Sequence, residues 1–237
     1  MIYGAVLAGG VGLRMKTSDV PKQFLMLGSK PIIIHTVEKF LANNRFDYVY
    51  VGVNSNWILY FEDLIKKYNL PAKRLKIVAG GADRNLTIMN IIDDIHQNIG
   101  SSDEDIIVTH DAVRPFVTNS IINENIDAAL EYGACDTVIP AHDTIVRSVD
   151  QEFISDIPNR SEMYLGQVPQ SFKINHFEKL YKSLTDEQKS ILTDACKVFV
   201  LTGEKVFLVE GEVYNIKITT MRDYLMAQAI MGGNIVD

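Results

Sequence analysis

Three short segments of the sequence carry charged side chains, and the first two combine them with glycines, in patterns that suit the binding of phosphate groups. The first segment, residues 7–15, contains Gly9, Gly10, Gly12 and Arg14, and a Pro-Lys-Gln-Phe element that includes Lys22 follows it. Glycines let backbone N–H groups approach and wrap phosphate oxygens. We expect Arg14 and Lys22, which lie on either side of a loop, to reach one triphosphate. The segment lacks the third glycine of the dinucleotide-binding fingerprint and the Gly-Lys-Ser/Thr of a P-loop.

The second segment, residues 80–87, reads Gly-Gly-Ala-Asp-Arg-Asn-Leu-Thr. Its Gly-Gly turn leaves backbone donors and acceptors that can read the edge of a pyrimidine base. Asp83 and Asn85 are residue types that cap helices, so the same segment also predicts the start of a helix.

The third segment, residues 110–116, begins His110-Asp111 and contains Arg114. An aspartate at the end of a buried strand can hold Mg²⁺ through one oxygen, while the metal keeps waters and phosphates as its other ligands. An arginine can bind a phosphate through two parallel hydrogen bonds. An Asp111–Arg114 ion pair that only shapes the turn is the structural alternative, and we interpret His110 as structural rather than catalytic.

The elements that must position these segments alternate between apolar runs and helical patterns. Strands are predicted at residues 2–7, 47–53, 75–78, 105–109, 137–140 and 205–209, and helices at 31–41, 58–68, 85–99, 119–131 with Asn119 as the N-cap, 176–184, 194–201 and 221–231. This alternation predicts an α/β fold with a Rossmann-like, mostly parallel sheet and helices on both faces. Ligands of such sheets bind outside the carboxyl ends of the strands. All three charged segments follow strands, so we expect them to meet in one crevice.

Residues 141–160 break the alternation. Residues 144–149 and 152–157 are predicted as two short strands around Asp150-Gln151, forming a protruding β-arm. A two-stranded ribbon is marginally stable alone, so we expect the arm to pack on something else, such as a second subunit. Because no linker or low-complexity stretch divides the sequence, residues 1–237 are interpreted as one domain with an arm.

The composition argues against several classes of protein. The 237 residues are 47% apolar and 22% charged, as in globular proteins, and the formal net charge of −7 disfavours nonspecific binding to nucleic acid. No apolar run approaches the roughly 20 residues that span a bilayer, and the N-terminus lacks the basic stretch of a signal peptide. The two cysteines form no disulfide framework, and the five histidines lack the spacing of a zinc site. We expect a cytoplasmic enzyme-sized protein.

The three segments together resemble the signature of nucleotidyltransferases that join a nucleotide to a sugar or polyol phosphate. The Pro-Lys-Gln-Phe element and a further Asn-Ile-Lys-Ile-Thr element at residues 215–219 resemble the cytidylyltransferase branch. The resemblance implies a fold of the nucleotide-diphospho-sugar transferase type, transfer of CMP from CTP to a polyol phosphate, release of pyrophosphate and a divalent cation such as Mg²⁺. Ala82 is a departure, because an acidic residue often stands there in this branch.

The same resemblance implies roles for individual residues. The implied catalytic residues are Arg14, Lys22 and Lys217; the nucleotide-binding residues are Leu7, Ala8, Gly9, Gly10, Gly12, Gly80, Gly81, Arg84, Thr87 and Asp111; the acceptor-binding residues are Arg114, Thr144, Arg160 and Lys217; and the metal ligand is Asp111. In the resembling family the arm residues reach the site of a neighbouring subunit, so a homodimer is expected.

Two acceptors remain open from the sequence. The segment 192–197, which lacks a second acid after Asp194, resembles the enzymes that act on ribitol 5-phosphate, as do Val113, residues 138–144 and Gly166-Gln167. We favour ribitol 5-phosphate over 2-C-methyl-D-erythritol 4-phosphate, which remains the alternative.

Two other classes of protein are also open. One is a dinucleotide-dependent oxidoreductase with a degenerate glycine loop, although the second strand is followed by Asn54 rather than an acid. The other is a nucleotide-binding subunit without turnover.

Overall fold

The computed structural model describes residues 1–10 and 20–233. The strands of this part are β1 (Ile2–Ala8), β2 (Met26–Leu27), β3 (Lys30–Pro31), β4 (Tyr48–Val53), β5 (Leu75–Ala79), β6 (Ile106–Asp111), β7 (Ala134–Pro140), β8 (Tyr164–Lys173) and β9 (Phe207–Glu210). The α-helices are α1 (Ile32–Ala42), α2 (Ile58–Lys67), α3 (Arg84–Asn98), α4 (Asn119–Tyr132), α5 (Ile174–Ser183), α6 (Asp186–Ser190), α7 (Cys196–Leu201) and α8 (Met221–Met231). Single 3₁₀ turns occupy Lys22–Phe24, Ser55–Trp57 and Arg160–Glu162.

Seven of the described strands form one sheet, in the order β5-β4-β1-β6-β8-β7-β9. The first four strands in this order are parallel to one another, and β9 is parallel to β7. Strand β8 is antiparallel to both of its neighbours, β6 and β7. The predicted α/β architecture with a mostly parallel sheet is therefore confirmed.

Strand β8 is the longest element that the sequence patterns do not predict; the two-residue strands β2 and β3 and the short helix α6 are also unpredicted. It contains Gly166 and Pro169, residue types that are depleted in strands, and the Val168–Pro169 peptide is cis. Its register with β7 shifts between Asp136 and Val138. The strand forms because β6 and β7 both pair with it, which is a contact between distant parts of the chain.

Helices cover both faces of the sheet, as predicted. Helices α1, α2 and α4 pack on one face through the buried residues Ile33, Val37, Phe40, Phe61, Leu64, Ile122 and Ile126. Helices α3, α5 and α7 pack on the other through Ile88, Ile92, Ile95, Phe177, Val198 and Phe199. The sheet is therefore buried on both sides, and its carboxyl edge remains for ligands.

The start of α4 differs from the prediction by one residue. Thr118, rather than Asn119, is the N-cap, because its Oγ1 accepts a hydrogen bond from the backbone N–H of Ile121. The Asn119 side chain instead accepts a hydrogen bond from Asn43 at 2.7 Å. The tertiary contact with α1 thus outweighs the local capping preference of asparagine.

The segment between β7 and β8 leaves the sheet, but the prediction of two strands there is wrong. One bridge joins its two limbs, where the Arg147 N–H donates to the Asp156 carbonyl at 2.8 Å. The turn is held by Asp150 Oδ1, which accepts hydrogen bonds from the backbone N–H groups of Glu152 and Phe153. The limbs pair weakly because their apolar side chains find no core within the subunit; Val149, Phe153, Ile154 and Ile157 are all exposed.

Among the residues that the structure describes, no helix has the length and apolar character to cross a lipid bilayer.

Candidate active site

The described parts of the three segments meet at the carboxyl edge of the sheet. Strands β1, β5 and β6 end there, and a cleft of about 230 Å³ opens between the loops that follow them. Its lining comprises Leu7, Ala8, Gly9, Gly10, Lys22, Gln23, Gly81, Ala82, Asp83, Arg84, Thr87, Asp111, Ala112, Val113 and Lys217. The structure therefore brings together most of the residues that the sequence singled out.

The two glycine turns lie directly against each other. A Cβ atom on Gly80 would stand 2.9 Å from the Cα atom of Gly9, and a Cβ on Gly81 would stand 2.6 Å from the carbonyl carbon of Leu86. A side chain at Gly80 would push the two loops apart, and one at Gly81 would clash with the first turn of α3, so both positions require glycine. This contact leaves backbone groups to form one wall of the cleft.

Two buried polar side chains hold these loops in shape. Gln23 Nε2 donates hydrogen bonds to the carbonyl oxygens of Ala8 and Gly10, both at 3.0 Å. Thr87 Oγ1 accepts from the Gly81 N–H at 3.0 Å and donates to the Asp83 carbonyl at 2.8 Å. The hydroxyl proton of Thr87 is thus committed to the loop. The sequence analysis does not predict this role of Gln23. Its position next to Lys22 in the Pro-Lys-Gln-Phe element could have indicated that it belongs to the site.

Asp111, the last residue of β6, lies among three cationic side chains. Lys217 Nζ is 2.8 Å from Oδ2, Arg84 Nε is 3.5 Å from Oδ1, and Arg114 Nε is 3.8 Å from Oδ2. The Asp111 side chain is 10% exposed, so these interactions are only weakly screened by solvent. Three positive charges face one carboxylate, which leaves a positive surplus suited to phosphate groups.

The charge of Asp111 is secured by these neighbours. Burial alone would raise its pKa, but the charges of Arg84, Lys217 and Arg114 outweigh burial and hold the pKa well below its usual range. The adjacent His110 behaves in the opposite way, because burial lowers its pKa to about 4. The neutral imidazole donates from Nε2 to the Arg114 carbonyl at 3.0 Å. This agrees with a structural role for His110.

The segment that carries Lys217 is fixed by three hydrogen bonds to backbone carbonyl groups. Arg114 Nη1 donates to the Asn215 carbonyl at 2.6 Å, and the Ile218 N–H donates to the Val113 carbonyl at 2.9 Å. The fully buried Asn215 donates from Nδ2 to the Val168 carbonyl at 2.7 Å. These bonds tie the C-terminal part of the chain to the turn after β6 and so bring Lys217 to Asp111.

Some predicted residues lie elsewhere. Arg14 and Gly12 are outside the described residues. Thr144 and Arg160 belong to the excursion after β7, are exposed, and do not line the cleft of their own subunit; Arg160 Nη1 donates to the His142 carbonyl at 3.0 Å. Gly80 packs behind the cleft wall rather than lining it.

A divalent cation fits this donor set only in part. Across residues 1–10 and 20–233, no group of three or more His, Cys, Asp or Glu side chains could hold a metal ion. The Asp111 carboxylate is ionised and could supply one hard oxygen ligand. Mg²⁺ is commonly bound by one or two carboxylates together with substrate phosphates and water, so the site suits a metal that arrives with its nucleotide.

A second polar group lies beside Arg84, on the sheet face covered by α3 and α7. Its central residue is Gln170 on β8, which pairs with Thr109 on β6 on one side and with Asp136 on β7 on the other. Burial raises the pKa of Asp136 to about 6, and the charge of Asp194 acts in the same direction. Asp136 is thus held as a carboxylate near neutral pH at a cost to folding.

We therefore expect Asp136→Asn to stabilise the protein above pH 6. The folded-state pKa of Asp136 lies above the ordinary value of 3.8, so its ionisation penalises folding above about pH 6 and is absent below about pH 4. The full difference corresponds to roughly 2–3 kcal/mol. Urea unfolding at pH 7.5 and at pH 4 measures it, and a difference between variant and wild type that is the same at both pH values contradicts this assignment.

The chain is similar to several proteins of known structure. It resembles the solved 4-diphosphocytidyl-2C-methyl-D-erythritol synthase of Anaerococcus prevotii DSM 20548, with 24% identity and a TM-score of 0.81 over 98% of this chain and 96% of that one. The 2-C-methyl-D-erythritol 4-phosphate cytidylyltransferase of Francisella tularensis is 23% identical, with a TM-score of 0.79 over 95% and 97% of the two chains. The enzyme of that name from Thermus thermophilus is 24% identical, with a TM-score of 0.72 over 97% and 98%. At these identities the likeness shows a shared fold.

A family model gives the stronger result. The model of the 2-C-methyl-D-erythritol 4-phosphate cytidylyltransferases, IspD, matches residues 2–233. This match takes in the glycine turns, Asp111 and the Lys217 segment. The chain therefore belongs to the IspD family and is a nucleotidyltransferase of the cytidylyltransferase type.

Proposed function

We propose that this protein transfers CMP from CTP to the phosphate group of a small polyol phosphate and releases pyrophosphate. The observation that carries the proposal is the Asp111 carboxylate with its three cationic neighbours, in a cleft that is also lined by glycine backbone. Backbone groups and ammonium groups of this kind bind phosphates. The neighbouring Gly80-Gly81 turn is proposed to read the cytosine.

In the proposed reaction an oxygen of the acceptor phosphate attacks the α-phosphorus of CTP. A new P–O bond forms, the bond from the α-phosphorus to the bridging oxygen breaks, and pyrophosphate leaves with its electron pair. Two anions must approach each other, so the barrier is mainly electrostatic, and fixed positive charges lower it. We assign this role to Arg14, Lys22 and Lys217, of which Lys22 and Lys217 line the cleft.

No general base is needed, because the attacking phosphate is already ionised near neutral pH. The buried His110, with its lowered pKa and its hydrogen bond to the Arg114 carbonyl, is consistent with a mechanism in which no imidazole takes a proton. Mg²⁺, when bound at Asp111 with the nucleotide phosphates, would supply further positive charge at the triphosphate.

We expect Lys217→Met to lower turnover about 100-fold or more, because it removes one of the preorganised charges at the reacting phosphates. Steady-state pyrophosphate release measures this effect. Lys182→Met is the matched control, since Lys182 is exposed, pairs with Glu178 on α5 and does not line the cleft. Equal turnover of Lys217→Met and wild type at equal melting temperature contradicts the role.

The acceptor phosphate is proposed to bind Arg114, together with Thr144 and Arg160 of a second subunit. The excursion after β7 supports this, since its apolar side chains are exposed in the single chain, as expected of a surface that another subunit covers. On this proposal the protein is a homodimer whose arms complete each other's sites.

Phe153→Glu tests the dimer, because Phe153 is 73% exposed near the tip of the excursion. Sedimentation velocity should give a dimer for wild type and a monomer for Phe153→Glu, with turnover falling in parallel. Leu59→Glu, at a residue of α2 that is 77% exposed, should remain dimeric and active. A monomeric wild type with full turnover contradicts the proposal.

Two polyol phosphates are candidate acceptors. The family model and the similar structures carry the name of the 2-C-methyl-D-erythritol 4-phosphate enzyme, and they support that acceptor better than ribitol 5-phosphate. The segment 192–197 and the other segments quoted above favour ribitol 5-phosphate. Both acceptors present one phosphate and several hydroxyls, so one cleft could serve the transfer to either.

A side-by-side assay tests the proposed function. Each acceptor is incubated with CTP, ATP, GTP and UTP, and pyrophosphate release is followed. We expect turnover with CTP and one of the two acceptors, at least tenfold faster than with the other nucleotides. No pyrophosphate release with CTP and either acceptor contradicts the function.

A further inference from the structure

The polar group beside Arg84 joins three strands and the first turns of two helices. Because Thr109, Gln170 and Asp136 are in register on adjacent strands, their side chains point to the same face of the sheet. Thr109 Oγ1 donates to the Gln170 carbonyl at 2.8 Å, and Arg84 Nη2 donates to Thr109 Oγ1 at 3.4 Å. Arg84 therefore belongs both to this polar group and to the cleft around Asp111.

The start of α7 closes the other side of the polar group. Gln170 Oε1 accepts a hydrogen bond from the Ala195 N–H at 3.2 Å, and Asn85 Nδ2 donates to the Asp194 carbonyl at 3.4 Å. These two bonds place Asp194 next to both α3 and β8. Asp136 and Asp194 thus flank Gln170, and the charge of Asp194 acts on Asp136.

Several buried atoms of this group have unused hydrogen-bonding capacity. Within the described ranges 1–10 and 20–233, no partner is found for Asn85 Oδ1, Arg84 Nη1 or Asp136 Oδ1. Asn85 is 4% exposed, so its acceptor is buried as well as unpaired. Gln170 donates a side-chain hydrogen bond to the Asp136 carboxylate, so only one of its oxygens is unpaired. Buried polar groups are nearly always hydrogen-bonded in native proteins, and a ligand that offers both donors and acceptors would satisfy these unpaired atoms on neighbouring elements.

Hydroxyl groups have this property, because each both donates and accepts. We propose that Asp136, with Asp194 and Asn85, reads the hydroxyl groups of the acceptor, while Arg84 joins this subsite to the phosphate end of the cleft. The inference rests on the proposed transfer to a polyol phosphate and adds the residues that select the polyol. In this arrangement an acceptor hydroxyl donates to the Asp136 carboxylate and accepts from Arg84.

The chemistry of this subsite favours one of the two candidate acceptors. Ribitol 5-phosphate carries one more hydroxyl than 2-C-methyl-D-erythritol 4-phosphate and has no methyl branch. A methyl group placed against a half-buried carboxylate would remove water from the charge without replacing its hydrogen bonds, which is costly. The subsite therefore selects the unbranched, more hydroxylated acceptor.

Asp136→Asn tests the inference, since the amide keeps the shape of the side chain and removes its charge. We expect kcat/KM for ribitol 5-phosphate to fall 10- to 100-fold, mainly through a higher KM, while the KM for CTP changes less than twofold. The ratio of kcat/KM for ribitol 5-phosphate to that for 2-C-methyl-D-erythritol 4-phosphate should fall at least fivefold. This ratio does not depend on the fraction of folded enzyme. Glu187→Gln, on the exposed surface of α6, is the matched control and should behave as wild type.

The outcomes separate the inference from the function on which it rests. Wild-type turnover of CTP with a polyol phosphate, combined with an unchanged acceptor ratio in Asp136→Asn, overturns the inference alone. An equal rise in the KM for CTP and for the acceptor also overturns it, because such a change indicates a general loss of site structure. If wild type turns over neither polyol phosphate, the proposed function fails and the inference fails with it.

Discussion

The site is organised by one ionised carboxylate, Asp111, buried at the end of β6 and surrounded by Arg84, Arg114 and Lys217. A buried carboxylate without partners would become neutral or destabilise the fold. The cationic neighbours of Asp111 keep its carboxylate ionised. The carboxylate in turn reduces the repulsion among these three positive side chains, so that they can lie close together. The proposed binding of a polyanion depends on this surplus of positive charge.

Asp111 and its cationic neighbours come from distant parts of the sequence, so only the folded chain brings them together. Arg84 is fixed by the first turn of α3, whose Asp83 side chain accepts from the Leu86 N–H at 2.8 Å. Lys217 comes from the C-terminal part of the chain, and its segment is held to strand β8 by the hydrogen bond from Asn215 to the Val168 carbonyl. The antiparallel strand β8 therefore anchors the Lys217 segment and also supplies Gln170 to the polar group beside Arg84.

The parts of the fold that could be predicted are those set by local pattern. The alternation of apolar runs and helical faces predicted the parallel half of the sheet, and the position of glycines and charges after strands predicted that residues 9–10, 80–84 and 111 would meet. Strand β8 could not be predicted, because its glycine and proline oppose a strand locally and only pairing with β6 and β7 forms it. The sequence predicts Asn119 as the N-cap of α4 because asparagine favours that position locally. In the structure its side chain contacts Asn43 at the end of α1, which is distant in sequence. The sequence does not predict Gln23 as a site residue, because its partners, the carbonyl oxygens of Ala8 and Gly10, lie on another loop.

The central claim is that the charged side chains around Asp111 form the binding site of a triphosphate. A crystal structure with CTP bound tests this claim most directly. The account predicts phosphate oxygens within about 3 Å of the Lys22 and Lys217 ammonium groups and of backbone N–H groups at Gly9-Gly10. It also predicts the base against the Gly80-Gly81 turn. A nucleotide whose phosphates lie away from Asp111, with the three cations still paired to the carboxylate alone, would contradict it.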